Sequence, residues 1–320
     1  SPLGAGTNRW AQGKNDEAVF QVFRSVVETG VNFFDTAEVY SRGKSERLLG
    51  ACLQRDHPPL VIASKFLPLP TRLTRHQFMK ALDASLNRLG VKMIDLYYIH
   101  FPYTLLSIEK LMDLMARAVE AGKVRAVGVS NFNANQMRRA VARLARYHIP
   151  LAANQVWYSL VHRQPEKNGV LDLCRELNVA LVAYRPLERG RLKSNTVPRA
   201  SSSGSPSSTA DRGKVSSKEL VLQETLQAIA QQRRKSLSQV ALNWLLRRDE
   251  HVIPIPGTTD PRHALENAET PSWDLSEDEF ASIDQASSCW KYSILGAPLL
   301  DLYQYKSFFN RHYVLYRLCH

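Results

Sequence analysis

Apolar positions along the chain follow two alternating rhythms. Short, nearly unbroken apolar runs occupy residues 2–7, 31–35, 60–65, 93–100, 124–130, 152–156, 180–184 and 252–256. Between them, apolar side chains recur every three or four residues, as in "DEAVFQVFRSVVETG", "RHQFMKALDASLNRLG" and "SIEKLMDLMARAVEAG". The second rhythm predicts amphipathic helices, and the first predicts parallel strands buried on both faces. Gly30, Gly90 and Gly122 stand where three of the helices should stop, since glycine accepts the left-handed conformation that closes a helix. Eight such alternations predict an α/β fold, a TIM (β/α)8 barrel.

Two segments break the rhythm. Residues 193–217, "KSNTVPRASSSGSPSSTADRGKVSS", are rich in serine with almost nothing to bury, which predicts a flexible loop after the seventh strand, at the catalytic end of a barrel. From about Trp290 the chain becomes aromatic and basic without a clean period. The expected organisation is one barrel over residues 1–288 and an irregular tail over 289–320.

Composition narrows the class. At 320 residues and 44% apolar content, the chain is long enough for one barrel with a large core. Cys52, Cys174, Cys289 and Cys319 are far apart and form no C-x-x-C pair, so neither a disulfide framework nor a zinc site is expected, and no metal. No run approaches the roughly 18 apolar residues of a membrane-spanning helix. A soluble intracellular protein is expected, with cytoplasm and organelle interior both open. The chain opens at Ser1 without methionine, compatible with an upstream targeting segment that was removed or not included. The net charge of +12 concentrates partly in "RRAVARLARY", with Arg138, Arg139, Arg143 and Arg146 on one helix face. Without a zinc-finger spacing, an RNP-type motif or a basic arm, this predicts a solvated face or attraction of a small anion, not nucleic-acid binding.

Candidate chemistry lies at the strand ends. The second, third and fourth runs finish at Asp35, Lys65 and His100, and Tyr40 follows Asp35 on the next loop. Neighbouring strands are about 4.8 Å apart, so the four side chains converge on one patch. Each has an ordinary explanation: a capping Asp, a packed Tyr, a snorkelling Lys, a satisfied His. Together they match one task. A carbonyl that accepts a hydride needs a proton on its oxygen, and a lysine ammonium beside a phenol makes the phenol a better donor. Asp35 would hold Lys65, and His100 would position the carbonyl.

The segments "FFDTAEVY", "VIASK" and "IDLYYIHFP" resemble the catalytic segments of the aldo-keto reductase superfamily, and the similarity runs from about Leu3 to Ala286. That resemblance implies a TIM barrel, reduction of small-molecule carbonyls with a nicotinamide cofactor, and a tetrad formed by Asp35, Tyr40, Lys65 and His100. It also implies that Ser130 and Asn131 of "VGVSNF" and Gln155 of "NQVWYS" hold the nicotinamide amide, with Tyr184 of "LVAYRPLERG" stacked on the ring. In "VIPIPGTTDPRHALENAE", Gly257, Thr259, His263, Glu266 and Asn267 would surround the adenosine, with Arg262 nearby. No G-x-G-x-x-G fingerprint is present, which disfavours a Rossmann dehydrogenase. Arg262 suits a 2′-phosphate, so NADPH is expected ahead of NADH, although Pro256 stands where some relatives carry lysine.

The chain departs from the family pattern in four places. The hairpin that should precede the first strand is absent from the start "SPLGAGT". Phe101 replaces a common tryptophan, the Ser-rich loop has no cofactor-clamping sequence, and "YRPLERG" carries Arg185 and Glu188 where relatives read closer to "YSPLGRG". Phe66, Phe101 and Trp157 are candidate apolar contacts for the substrate. The leading expectation is an NADPH-dependent aldehyde or ketone reductase with Tyr40 as general acid. The alternative is a cofactor-binding regulatory or partner subunit with little turnover, as in the channel-associated branch that "IPIPGTT" approaches. Physiological substrate and oligomeric state are not legible.

Overall fold

Strands apolar on both faces need cover on both, and the chain supplies it by closing them into a ring. The computed structural model describes residues 2–12, 15–56, 59–190 and 217–288. Its strands β1 (Ala5–Gly6), β2 (Phe33–Asp35), β3 (Val61–Phe66), β4 (Ile94–Ile99), β5 (Val124–Ser130), β6 (Leu151–Trp157), β7 (Ala180–Tyr184) and β8 (Val252–Pro254) form one sheet in sequence order. All seven successive pairings are parallel. Closure comes from a parallel bridge between Gly6 and Gly257. Gly4 and Gly6 N–H groups also donate to the carbonyls of Pro254 and Pro256 at 3.0 and 3.2 Å. The chain is the TIM barrel that its periodicity predicts.

The closing strands are shorter than expected for a chemical reason. Pro254 and Pro256 have no N–H, so the β8 edge accepts from β1 at these positions and donates nothing, which cuts the ladder short. The approach is also close: a Cβ on Gly257 would stand 3.1 Å from the Gly6 carbonyl oxygen. Along each strand, alternate side chains face opposite sides. Phe33, Ala63, Leu96, Tyr98, Ala153, Val182 and Ile255 fill the barrel. Phe34, Ile62, Tyr97 and Ile99 face the helices in the outer core.

That outer layer contains α1 (Asp16–Glu28), α2 (Lys44–Asp56), α3 (Arg75–Leu89), α4 (Ile108–Glu120), α5 (Ala134–Ala145), α6 (Gln164–Lys167), α7 (Val170–Leu177), α8 (Ser217–Arg233), α9 (Leu237–Arg248), α10 (Pro261–Ala268) and α11 (Glu277–Ser288). Sequence-encoded caps set several boundaries. Thr74 and Gln77 form a capping box at the start of α3, and Gly90 closes it at φ 67°. Three of the four arginines of the basic face on α5 are paired with neighbouring helices. Arg139 and Arg143 make paired hydrogen bonds to Glu109 and Asp113 of α4, and Arg138 does so to Glu176 of α7.

Cys52 and Cys174 are buried free thiols. Burial pushes both up to about 12, so they remain protonated and unreactive at neutral pH. Among the described residues no helix is long and apolar enough to cross a membrane, and no cluster of potential metal ligands occurs. The expected Ser-rich loop, apart from Ser217, and the 289–320 tail lie outside the described residues.

One buried ion pair locks α2 against the barrel. Glu46 is fully buried and accepts from Ser64 Oγ of β3 and Arg88 Nε of α3, both at 2.6 Å. Glu46→Ala leaves both donors without this acceptor. Because Arg88 reaches solvent, the expected loss is about 2–4 kcal/mol of stability, below the upper end for a broken buried pair. Thermal or urea denaturation measures it; an unchanged midpoint would show that water replaces the carboxylate.

Candidate active site

The ends of β2, β3 and β4 converge at the barrel mouth. Lys65 Nζ lies 2.5 Å from Asp35 Oδ1 and donates to the Thr36 carbonyl at 2.7 Å. Both side chains are almost completely removed from solvent, at 0% and 2% exposure. Burial is the largest influence on each: it raises the Asp35 carboxyl and lowers the Lys65 ammonium, while their mutual attraction opposes both shifts. The short contact and the Thr36 carbonyl make this a hydrogen-bonded pair whose members depend on each other for charge.

Tyr40 enters the same patch from the β2–α2 loop. Ser41, Arg42 and Gly43 all have left-handed φ, at 49°, 56° and 79°, and this sharp reversal carries the chain from the barrel mouth into α2. Behind the turn, Ser45 Oγ contacts the hydroxyls of Thr7 and Thr36 at 2.7 and 2.9 Å, fixing the ends of β1 and β2 to the start of α2. The phenol ring is partly buried, with Lys65 Nζ 5.0 Å from its centroid. His100 follows β4 and approaches Tyr40 edge-on, centroids 6.0 Å apart, while stacking on Phe101 at 4.6 Å. Burial first, and the Lys65 charge second, hold the His100 imidazole well below its usual range. It is therefore a neutral hydrogen-bonding group.

A second set of polar side chains continues around the rim. Gln155 Nε2 donates to Asp35 Oδ2 at 2.8 Å. Ser130 Oγ donates to the Gln155 carbonyl at 2.9 Å, and Asn131 Nδ2 to Ser130 Oγ at 3.1 Å and the His100 carbonyl at 3.3 Å. Tyr184 closes the arc by donating to Asn131 Oδ1 at 3.0 Å. Asn131 holds a left-handed φ of 62°, a conformation that asparagine tolerates better than most residues. Ser130, Asn131, Gln155 and Tyr184 thus form one network with Asp35 and His100. The link from Gln155 to Asp35 was not legible, because nothing in a sequence reveals which way a strand-end amide turns.

Farther around the ring, the β8–α10 turn presents a different surface. Thr259 is exposed, as are the side chains of Arg262 and His263. Glu266 is partly buried on the same helix. Gly257 sits at the barrel closure beside Gly6. Asn267 is 3% exposed, and its Nδ2 has no hydrogen-bond partner among the described residues. It lines a small cavity with Gly6, Pro256 and Thr258. A buried amide without a partner fits a site that completes its hydrogen bonds on binding. Arg262 is not held ready in isolation, because its guanidinium pairs with Asp260 at 3.1 Å.

The profile of the group described as "Aldo/keto reductase family" matches residues 2–288. The chain belongs to the aldo/keto reductase family. It is 33% identical over 307 residues to pyridoxal reductase, chloroplastic, of Arabidopsis thaliana, covering 90% of this chain and 83% of that protein. It is 32% identical over 298 residues to the aldo-keto reductase yakc [NADP(+)] of Schizosaccharomyces pombe, covering 88% and 86%. An aldo/keto reductase from Klebsiella pneumoniae, solved with NADP and acetate, superposes with a TM-score of 0.73 at 26% identity, covering 89% of this chain and 90% of that one.

Within this aldo/keto reductase barrel, Arg185 and Glu188 are accommodated by Trp157. The Arg185 guanidinium lies 4.9 Å from the Trp157 ring centroid and 5.8 Å from that of Tyr184. Glu188 is buried and accepts from Trp157 Nε1 at 2.7 Å and from Ser159 Oγ. The unexpected acid therefore braces the turn, while the unexpected base stands beside Tyr184. Phe101 lines the mouth against His100, but Phe66 does not: it is fully buried and packs on Phe78 of α3 at 4.9 Å. Its position after Lys65 turns it to the helix side of the strand, so it is removed from the substrate wall.

His162, stacked on Trp157 at 4.2 Å, gives this region a pH signature. Burial, then the charge of Arg185, lowers its imidazole to about 4 from 6.5. Between those values the unfolded chain takes up a proton that the folded protein refuses, so stability falls as pH drops from 6.5 towards 4. His162→Phe keeps an aromatic stack and removes this contribution. The expected result is a shallower decline of Tm across that interval; an identical slope would place the acid sensitivity elsewhere.

Proposed function

We propose that this protein reduces a small aldehyde or ketone to the alcohol with NADPH, using Tyr40 as the proton donor. The carrying observation is the buried Lys65–Asp35 pair with Tyr40 and His100 around it at three consecutive strand ends. NADP in the matched Klebsiella pneumoniae structure and NADP(+) in the name of the Schizosaccharomyces pombe relative support the cofactor.

The bound nicotinamide supplies a hydride. The chain's own residues prepare the oxygen that receives the proton. Lys65, held by Asp35 and the Thr36 carbonyl, presents positive charge to the Tyr40 ring and favours phenolate, which eases donation from the phenol. Neutral His100 donates to the carbonyl oxygen and fixes it near Tyr40. Ser130, Asn131 and Gln155 would hold the nicotinamide amide through donors and acceptors, and Tyr184 would offer its ring an aromatic face. Gly257, Thr259, Arg262, His263, Glu266 and Asn267 would hold the adenosine end, with the cations available to its phosphate. The stacked His100 and Phe101 rings provide an apolar wall that limits water at the reacting carbonyl.

Titrating NADPH and NADH separately by nicotinamide fluorescence, then following cofactor consumption with a panel of aldehydes and ketones, tests this function. Binding followed by consumption is expected, with NADPH preferred. Tight binding with no consumption across the panel would instead support a cofactor-binding partner subunit.

A further inference from the structure

We propose that Asp260 sets the cofactor preference of this barrel by competing with the 2′-phosphate of NADPH for the start of α10. The inference rests on the NADP(H) reading above.

The Asp260 carboxylate occupies the N-terminus of α10 as a cap. Its Oδ1 accepts from the Arg262 backbone N–H at 2.9 Å and from Arg262 Nε at 3.4 Å, and its Oδ2 accepts from Arg262 Nη2 at 3.1 Å. The same Oδ2 lies 3.9 Å from His263 Nδ1. One carboxylate therefore engages, or stands beside, three donors that an incoming phosphate could use: an N–H of the first helical turn, a guanidinium and an imidazole. The side chains of Arg262 and His263 are 85% and 47% exposed, so a ligand can reach them. Asn267, two turns along α10, contributes the unpartnered buried amide.

The consequence depends on the charge of the ligand. A phosphomonoester carries about −1.5 to −2 near neutral pH. To bind Arg262 it must enter beside a fixed like charge or displace Asp260 from its cap, and either outcome weakens binding. The 2′-hydroxyl of NADH has no charge and can donate to the same carboxylate. Glu266, on the same helix, adds to the acidity around Arg262. Asp260 therefore narrows the NADPH advantage that Arg262 and His263 would otherwise give. In the sequence, Arg262 looked like an available phosphate ligand; the side-chain bonds show it already occupied by its neighbour two residues earlier.

Asp260→Asn and Asp260→Ser remove the charge while keeping a residue that caps helices well. Both should fold with near-wild-type Tm. At low ionic strength each should tighten NADPH roughly five- to tenfold and leave NADH within about twofold, with the gain shrinking as salt rises. Fluorescence titration of both nucleotides against the wild type and variants reads the effect. An unchanged or weakened NADPH affinity in a folded variant overturns the role of Asp260 and leaves the cofactor reading standing. A wild type that binds neither nucleotide overturns that reading, and this inference with it.

Discussion

Tyr40→Phe is expected to lower kcat for carbonyl reduction by roughly 10²–10⁴-fold, the usual contribution of a positioned general acid. The affinity for NADPH should stay within about threefold, because the change removes an interaction needed in the transition state and not one that binds the cofactor. Only the hydroxyl disappears. The ring packs among Ala37, Val39, Leu67, Leu69 and Phe101, so the phenylalanine side chain can fill the same place, and Tm should hardly change. Steady-state rates with a reactive aldehyde, together with a nucleotide titration, separate these effects. Near-normal turnover would assign the proton to another group.

Lys65→Met should damage both catalysis and stability. Turnover is expected to fall by roughly 10²–10⁴-fold because the charge that prepares Tyr40 is lost. Stability should fall by about 3–5 kcal/mol, the cost of stripping one partner from a buried ion pair. The pH dependence gives a sharper test. Without the ammonium, burial raises Asp35 further, and Asp35 prefers to be protonated in the folded protein. A carboxyl whose folded pKa exceeds its unfolded value gives stability at low pH that disappears as pH rises through the folded value. The variant should therefore lie closest to wild type near pH 4 and farthest from it at neutral pH. Adding Asp35→Asn should recover part of the neutral-pH loss without restoring turnover, since the buried charge is then gone. Denaturation of both proteins across this range decides the point. A pH-independent deficit would mean that Asp35 stays solvated in the variant.

Much of this was legible in the chain itself. Strands buried on both faces leave unbroken apolar runs, and Gly90 marks the C-terminal end of α3, so the barrel and its order followed from pattern alone. Strand boundaries were less legible at the seam, where prolines at 254 and 256 remove donors and shorten β1 and β8. At the site, parallel strands bring their ends together, which is why Asp35, Lys65 and His100 are found side by side. Side-chain direction is a different matter. Phe66 follows the lysine, yet packs outward on Phe78. Gln155 joins Asp35 as well as the polar rim formed with Ser130 and Asn131. Arg262 is paired with Asp260 instead of standing open. Each of these depends on rotamers and on partners far away in sequence, which periodicity does not encode.

In the proposed reaction a hydride passes from the nicotinamide to a carbonyl carbon while Tyr40 supplies the proton. NADPH deuterated at the transferring position, incubated with the wild-type protein and an aldehyde from the active panel, tests it most directly. Mass spectrometry of the alcohol should show one deuterium on the carbinol carbon, formed in step with oxidised cofactor, and the labelled alcohol should form at least about a hundredfold more slowly with Tyr40→Phe. Alcohol formed without the label, or labelled equally fast by Tyr40→Phe, would exclude this hydride and proton transfer.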